Sequence, residues 1–349
     1  MKRSAITRLG KSLLFNTGLV ACARARGGPQ SALIRVLAYH SVAPAQTAYC
    51  KRDIRVDPPE FARQMAYLAR HYRVLPLDEA LARLTSGRSL PAKAVVITFD
   101  DGYRDNYDHA FPVLQRWGLP ATFFVVSAAV CGRSPFWVGQ LQLALMSAVD
   151  LAPVRRAFAM TAHAAADDAV SRQEVIDLIS AQINRADTTG RAQLLERAYS
   201  SLDFDPGLPA HIPPILSPAQ LREMAAAGMT IGSHSATHSI LTSLDPGTAE
   251  RELLESKREL ESMVERSVEH FAFPNGPGVA NFSAAAARLV SACGYRSACT
   301  SFRGMLKSGS DLFAIPRLNI GGDVTRAEFA FKLEEHKFSL LLFDSGPAV

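Results

Sequence analysis

Short apolar, β-branched runs alternate with amphipathic helical stretches over residues 35–126, and the alternation resumes from 218 to 318. The runs fall at 35–39, 74–77, 95–99, 121–126, 229–232, 271–273, 295–299 and 315–318. Between them, apolar residues recur at helical spacing, as in Phe61, Met65 and Leu68 after the opening Asp57-Pro58-Pro59-Glu60. Strand, helix, strand repetition implies crossover connections, and such connections build parallel sheets. About eight strands with helices between most of them is close to the count of a (β/α) barrel. The fold class read from this pattern is therefore α/β.

The alternation stops over 131–216. Residues 141–149, 170–184 and 191–202 are helical in pattern, rich in Ala, Leu, Glu and Gln, and no good strand occurs. This range reads as a helical insertion or cap that ends in the turn-forming Pro206-Gly207 and Pro213-Pro214. Phe136 and Trp137 at its start either touch a substrate or pack in a core, with core packing favoured.

Residues 95–102, Val-Val-Ile-Thr-Phe-Asp-Asp-Gly, carry the first chemical signal. A buried strand ends on two adjacent carboxylates. Neighbouring strand residues point to opposite faces, so the chain must distort if Asp100 and Asp101 are to share a pocket. Gly102 supplies the backbone freedom. A plain turn with a helix cap would use the same residues. A second strand end carries His234 and His238, four apart, a spacing that puts two imidazoles on one side of a tight loop. Nine histidines in 349 residues will sometimes fall four apart by chance. Context favours a site, because parallel barrel strands open their C-terminal ends onto one face. Two carboxylates and two imidazoles there would hold one zinc-like cation through three groups and leave one carboxylate free. His40 ends its own strand at the same mouth.

Charge narrows the partners. The net charge is +5, yet residues 1–28 alone hold Lys2, Arg3, Arg8, Lys11, Arg24 and Arg26 and no acid. The rest of the chain is slightly negative, which leaves no footprint for nucleic acid. Residues 1–28 read as a basic amphipathic segment, with 1–26 lying on an anionic membrane surface. That reading implies a cytoplasmic or membrane-peripheral protein. The alternatives are export, with Ala21-Cys22-Ala23 as a cleavage site, and a plain packing helix. The five cysteines are widely spaced without a C-x-x-C pair, which argues against a disulfide framework or a structural zinc site.

Thr98–Gly102 (T-F-D-D-G) and His234–His238 (H-S-x-x-H) resemble the first two motifs of the polysaccharide deacetylases, the NodB-homology carbohydrate esterases. The Tyr39-His40 strand end, the Phe61 and Leu68 helix, Gly232-Ser233-His234 and the F-A-F-P-N-G run at 271–276 resemble the poly-N-acetylglucosamine-deacetylase-like branch. The resemblance covers roughly 33–130 and 217–320. It implies a distorted (β/α) barrel of seven to eight strands over 29–345, interrupted by the insertion 131–216. It implies Asp101, His234 and His238 as ligands of one divalent metal ion, zinc foremost, with cobalt or nickel as alternatives, and Asp100 as general base. Two departures stand out. The Arg that often precedes the Pro of the third motif is missing before Pro274, and Arg317 is a substitute candidate, grouped with Pro274 and Asn275 at the substrate and oxyanion. The last motif, Leu318–Gly322, lacks the His of many members, which puts His40 in the acid role.

The implied activity is removal of N-acetyl groups from a glycan, either a polysaccharide or a lipid-linked saccharide, by metal-activated water. Asp100 takes the water's proton and His40 protonates the departing amine. The backbone N–H of Asn275, after Pro274, would help stabilise the oxyanion. The alternatives are a deformylase or other deacylase of a lipid-linked sugar, a cyclic-amide hydrolase, and a non-catalytic glycan-binding pseudoenzyme. A binder has no need of an unliganded carboxylate beside a metal.

Overall fold

The computed structural model describes residue 17 and residues 33–160, 169–274, 281–322 and 324–334. The N-terminal segment 1–28, apart from residue 17, and Asn275 lie outside these. Seven strands close a parallel barrel: β1 (Leu33–Tyr39), β2 (Ala94–Phe99), β3 (Thr122–Val125), β4 (Thr230–Ser233), β5 (His270–Ala272), β6 (Ser297–Arg303) and β7 (Ile315–Asn319). Each pairs in parallel with the next, and β7 returns to β1 through Leu37 against Leu318 and Ala38 against Asn319.

The strand expected at 74–77 contributes only Arg73–Val74, laid beside Ala94 and Val95. Closure of β1 on β2 and β7 leaves it no place in the ring, and Pro76 ends it before a helix begins. The strand expected at 295–299 is displaced to Ser297–Arg303, because Tyr295 is buried against Phe271 before the strand starts.

Strand alternation sorts the side chains into two layers. Leu37, Tyr39, Val95, Ile97, Phe99, Phe123 and Val125 face outward into the main core. There they meet helices such as α1 (Pro58–His71) and α3 (Phe111–Trp117). Ile34, Val36, Ala94, Val96, Phe124, Ala272 and Ile315 face inward. They join Leu77, Ala80 and Leu81 of α2 (Leu77–Thr85), which plugs the lower end. The interior is thus packed from below, and only the C-terminal mouth is left for polar side chains.

The insertion is helical as expected: α4 (Trp137–Ser147), α5 (Ala152–Ala157), α6 (Ala169–Arg185) and α7 (Thr188–Ser201). It has its own core, in which Trp137, Leu141 and Leu145 meet Val154, Ile179, Ile183 and Tyr199. Helices α8 (Pro218–Ala226), α9 (Pro246–Val264), α10 (Ala284–Ala292) and α11 (Arg326–Glu334) complete the outer layer. Helix α8 begins with a capping box between Ser217 and Gln220. Among the described residues, no helix is long and apolar enough to cross a membrane.

Candidate active site

The inward face of β2 runs Val96, Thr98 and then Asp100 at the mouth. Asp100 still follows the strand, its N–H donating to Tyr39 O at 2.9 Å. The distortion that lets Asp101 enter the same mouth falls on Asp101 itself, with φ 74°, and on Gly102, with φ 84°. A Cβ at Gly102 would lie 3.0 Å from Val125 Cγ1, so both space and backbone require glycine. A non-glycine residue in the left-handed region costs of order 1 kcal/mol or more, and such strain collects at functional sites.

Asp101 receives both imidazoles. His234 Nε2 lies 3.5 Å and His238 Nε2 3.3 Å from the same Asp101 Oδ1. All three residues are buried. Gly232 lets the His234 strand sit this close, since a Cβ there would fall 2.5 Å from Phe124. His234 Nδ1 lies 2.8 Å from Ala272 O, a pure acceptor, so Nδ1 donates there and Nε2 is the nitrogen turned toward Asp101. Burial opposes the Asp101 charge, but the two imidazoles outweigh it and hold the carboxyl well below the usual range.

These residues fit a divalent metal ion. The ligand atoms of a tetrahedral zinc with bonds of about 2.0–2.1 Å stand roughly 3.3–3.5 Å apart. The two nitrogen-to-oxygen separations here match that spacing. A mixed imidazole and carboxylate set suits zinc and its first-row neighbours. A second group, Asp78, Glu269 and His270, at the opposite end of the barrel, also has ligand atoms within 4.8 Å of one another. Its atoms already have partners: His270 bonds Asp78 at 2.7 Å and Ser297 at 2.8 Å, and Glu269 pairs with Arg296.

Asp100 stays outside the triad. Arg317, on the inward face of β7, donates through Nη1 to its Oδ1 at 2.7 Å and through Nη2 to its Oδ2 at 2.6 Å. The same guanidinium donates to Thr98 Oγ1 and Thr300 O and is 1% exposed. Arg317 therefore holds the carboxylate and is not presented to a substrate, which corrects the expectation that it acts on substrate or oxyanion. Burial opposes the Asp100 charge too. Arg317 first, then His234 and His40, overcome it and keep the carboxyl below its ordinary range. His40 Nε2 faces Asp100 Oδ2 across 3.8 Å, and the imidazole is 19% exposed. Pro274 is buried two residues past the end of β5.

Two residues not singled out in the sequence hold the His40 segment. Asp105 accepts from Ser41 Oγ at 2.7 Å, Val42 N at 2.8 Å, Tyr49 OH at 3.0 Å and Asn106 Nδ2 at 2.9 Å. Asn106 Nδ2 also donates to His40 O at 2.7 Å. Burial raises the Asp105 carboxyl despite these bonds. The available signal was position: both follow Asp101 by about one helical turn. The insertion reaches the site as well. Phe136 is buried with its ring edge-on to His238 at 5.3 Å, and Trp137 lies at 6.1 Å.

The sequence profile of the polysaccharide deacetylase family matches residues 87–150 and 154–298, more than half the chain. The chain belongs to the polysaccharide deacetylase family. Family membership makes it a hydrolase that removes acetyl groups from carbohydrate. The match continues through most of the insertion, beyond the 33–130 and 217–320 over which the motifs resemble the family. His40 and Arg317 lie beyond the matched range.

Bacillus subtilis (strain 168) YxkH, named for the same family, is 22% identical over 307 residues, spanning 88% of this chain and 78% of that protein. The poly-beta-1,6-N-acetyl-D-glucosamine N-deacetylase of Escherichia coli (strain K12) is 33% identical over 95 residues, 27% of this chain and 14% of that protein. Among solved structures, IcaB from Ammonifex degensii superposes with a TM-score of 0.55 at 20% identity, covering 87% of this chain and 98% of IcaB. Streptococcus pyogenes deacetylase PplD gives 0.56 at 19%, covering 86% and 98%. These likenesses agree with the deacetylase barrel.

Proposed function

We propose that this chain removes N-acetyl groups from an amino-sugar glycan, a polysaccharide of N-acetylglucosamine type or a lipid-linked saccharide. The observation that carries the reading is Asp100. It is a buried, ionised carboxylate beside a ligand triad but outside it, locked by Arg317 and facing His40. A site that only bound sugar would have no use for it. The N-acetylglucosamine substrate is supported by the Escherichia coli relative named for that activity, which this chain matches over a short stretch.

Asp101, His234 and His238 would hold one divalent ion, zinc foremost, with cobalt or nickel as alternatives. When bound, the ion supplies Lewis acidity and lowers the pKa of water toward neutrality. Asp100 accepts the proton of the water that attacks the acetamide carbonyl. The backbone N–H of Asn275 is assigned to the oxyanion. His40 then gives a proton to the nitrogen as the C–N bond breaks, releasing acetate and leaving a free amine on the sugar. Without that proton the leaving group would be an amide anion, which is too basic to depart. Residues 1–26 are assigned to an anionic membrane surface, outside the catalytic unit.

The test is a screen of N-acetylated oligosaccharides and lipid-linked saccharides for acetate, formate and new amine. Acetate with an equal yield of amine supports the proposal. Formate in its place supports the deacylase alternative. Glycan binding by metal-loaded protein with no product would make it a pseudoenzyme.

A further inference from the structure

A histidine that ligates a metal through one nitrogen usually has its other N–H tied to a partner, which fixes the ring. His234 follows this rule through Ala272 O. His238 does not: its Nδ1 is buried and has no hydrogen-bond partner among the described residues. Its backbone is also left-handed, with φ 57°, in a loop that follows the end of β4. Something other than an Nδ1 hydrogen bond must set the direction of this imidazole.

The residues on either side of His238 supply the answer. Arg191, in the first turn of α7, donates through Nη1 to Ser239 Oγ at 2.7 Å and through Nη2 to Thr237 Oγ1 at 2.9 Å. From the barrel side, Glu252 of α9 accepts from Thr237 N at 2.9 Å and Thr237 Oγ1 at 2.6 Å. Glu252 is 8% exposed. A guanidinium from the insertion and a buried carboxylate from the barrel thus close on the two hydroxyl residues that bracket the ligand. Phe136 and Trp137 confine the ring itself.

We propose that Arg191 is a positioning residue for His238, so that the inserted helices are a working part of the metal site. The inference rests on the triad reading given above. Removing Arg191 leaves the Glu252 carboxylate without its facing charge and frees the Thr237 and Ser239 hydroxyls on one side. The loop then samples rotations that swing His238 away from Asp101. Losing such outer support typically costs about 10–100-fold in metal affinity.

The experiment is chelator competition for zinc, read on full-length parent, Arg191→Met, Arg191→Lys and Ile179→Ala, with unfolding midpoints measured alongside. Ile179 is buried in the insertion core with Trp137 and, as a hydrocarbon side chain, takes no part in the hydrogen bonds among Arg191, Thr237, Ser239 and Glu252. Its substitution reports what general loosening of the insertion does. The expected result is zinc affinity lowered about 10–100-fold in Arg191→Met, partly restored in Arg191→Lys, and unchanged in Ile179→Ala despite a lower midpoint. Parental affinity in Arg191→Met overturns the proposal, as does an equal loss in Ile179→Ala. If Arg191→Met fails to fold, Thr237→Val combined with Ser239→Ala takes its place with the same expectation. A parent that binds no zinc overturns the triad reading and this inference with it, a pattern distinct from loss in the variants alone.

Discussion

Arg317→Met is expected to damage both stability and turnover. The guanidinium is buried and makes two charge-assisted bonds to Asp100, with further bonds to Thr98 Oγ1 and Thr300 O. Removing one partner of such a buried pair typically costs about 3–5 kcal/mol, because the other charge is left uncompensated. Asp100 would then sit in the mouth with burial favouring its neutral form, and a neutral carboxyl is no base. Turnover should fall by about 10²–10⁴, the usual worth of a positioned base.

Size alone suggests that Asp100→Asn is structurally benign. The pairing makes it costly too, since it strands the Arg317 charge. The double variant Asp100→Asn/Arg317→Met removes both charges. It should unfold less easily than the sum of the single losses predicts, with a coupling of roughly 0.5–3 kcal/mol. It should remain inactive. Urea midpoints and slopes give the stabilities, and acetate release gives the activity. Parental midpoint and parental turnover in Arg317→Met would show that Arg317 neither stabilises the fold nor keeps Asp100 ionised.

His40→Ala should keep its metal, as judged by elemental analysis, and lose about 10²–10⁴ in kcat. The alkaline side of the rate profile should flatten, and an unchanged alkaline side would remove His40 from the acid role. The hydrogen bond with His270 lowers the Asp78 carboxyl, with burial acting against it. A lowered folded-state pKa gives stability that is full above the ordinary carboxylate pKa and lost as pH falls through the folded value. Asp78→Asn should therefore flatten acid-side stability in that window, and thermal midpoints against pH will show whether it does. For the N-terminal segment, the expected outcome is that the mature protein retains residues 1–26. N-terminal sequencing that starts after Ala23 or Ala25 would establish export instead.

Much of the site was legible because its residues end strands. Asp100, Asp101, His234 and His238 each follow a short apolar run, and parallel barrel strands share one mouth. The helical nature of 131–216 was also legible from its composition, although the short Ala152–Ala157 helix, with Pro153 in its first turn, was not. What could not be read was pairing across the ring. Thr98, Asp100 and Arg317 share the inward face only once β7 closes on β1, and no local pattern fixes that closure. Arg317 was visible as a charge beside the last strand, but not as the partner of a residue 217 positions away. The same holds for Arg191, whose targets lie 46 and 48 positions downstream on another element. Asp105 and Asn106 look like ordinary helix-start polar residues. Only the fold brings the Ser41 hydroxyl and the Val42 N–H against Asp105, and the His40 carbonyl against Asn106.

The most direct measurement is acetate release from N-acetylglucosamine oligosaccharides by one protein preparation in three states: as purified, after chelation, and after zinc is restored. Asp100→Asn carrying zinc is run beside it. Metal-dependent deacetylation with Asp100 as base gives acetate and free amine in equal amounts, lost on chelation, regained with zinc, and absent in the zinc-loaded Asp100→Asn protein. Acetate release that survives complete chelation, or that persists undiminished in Asp100→Asn, would contradict it.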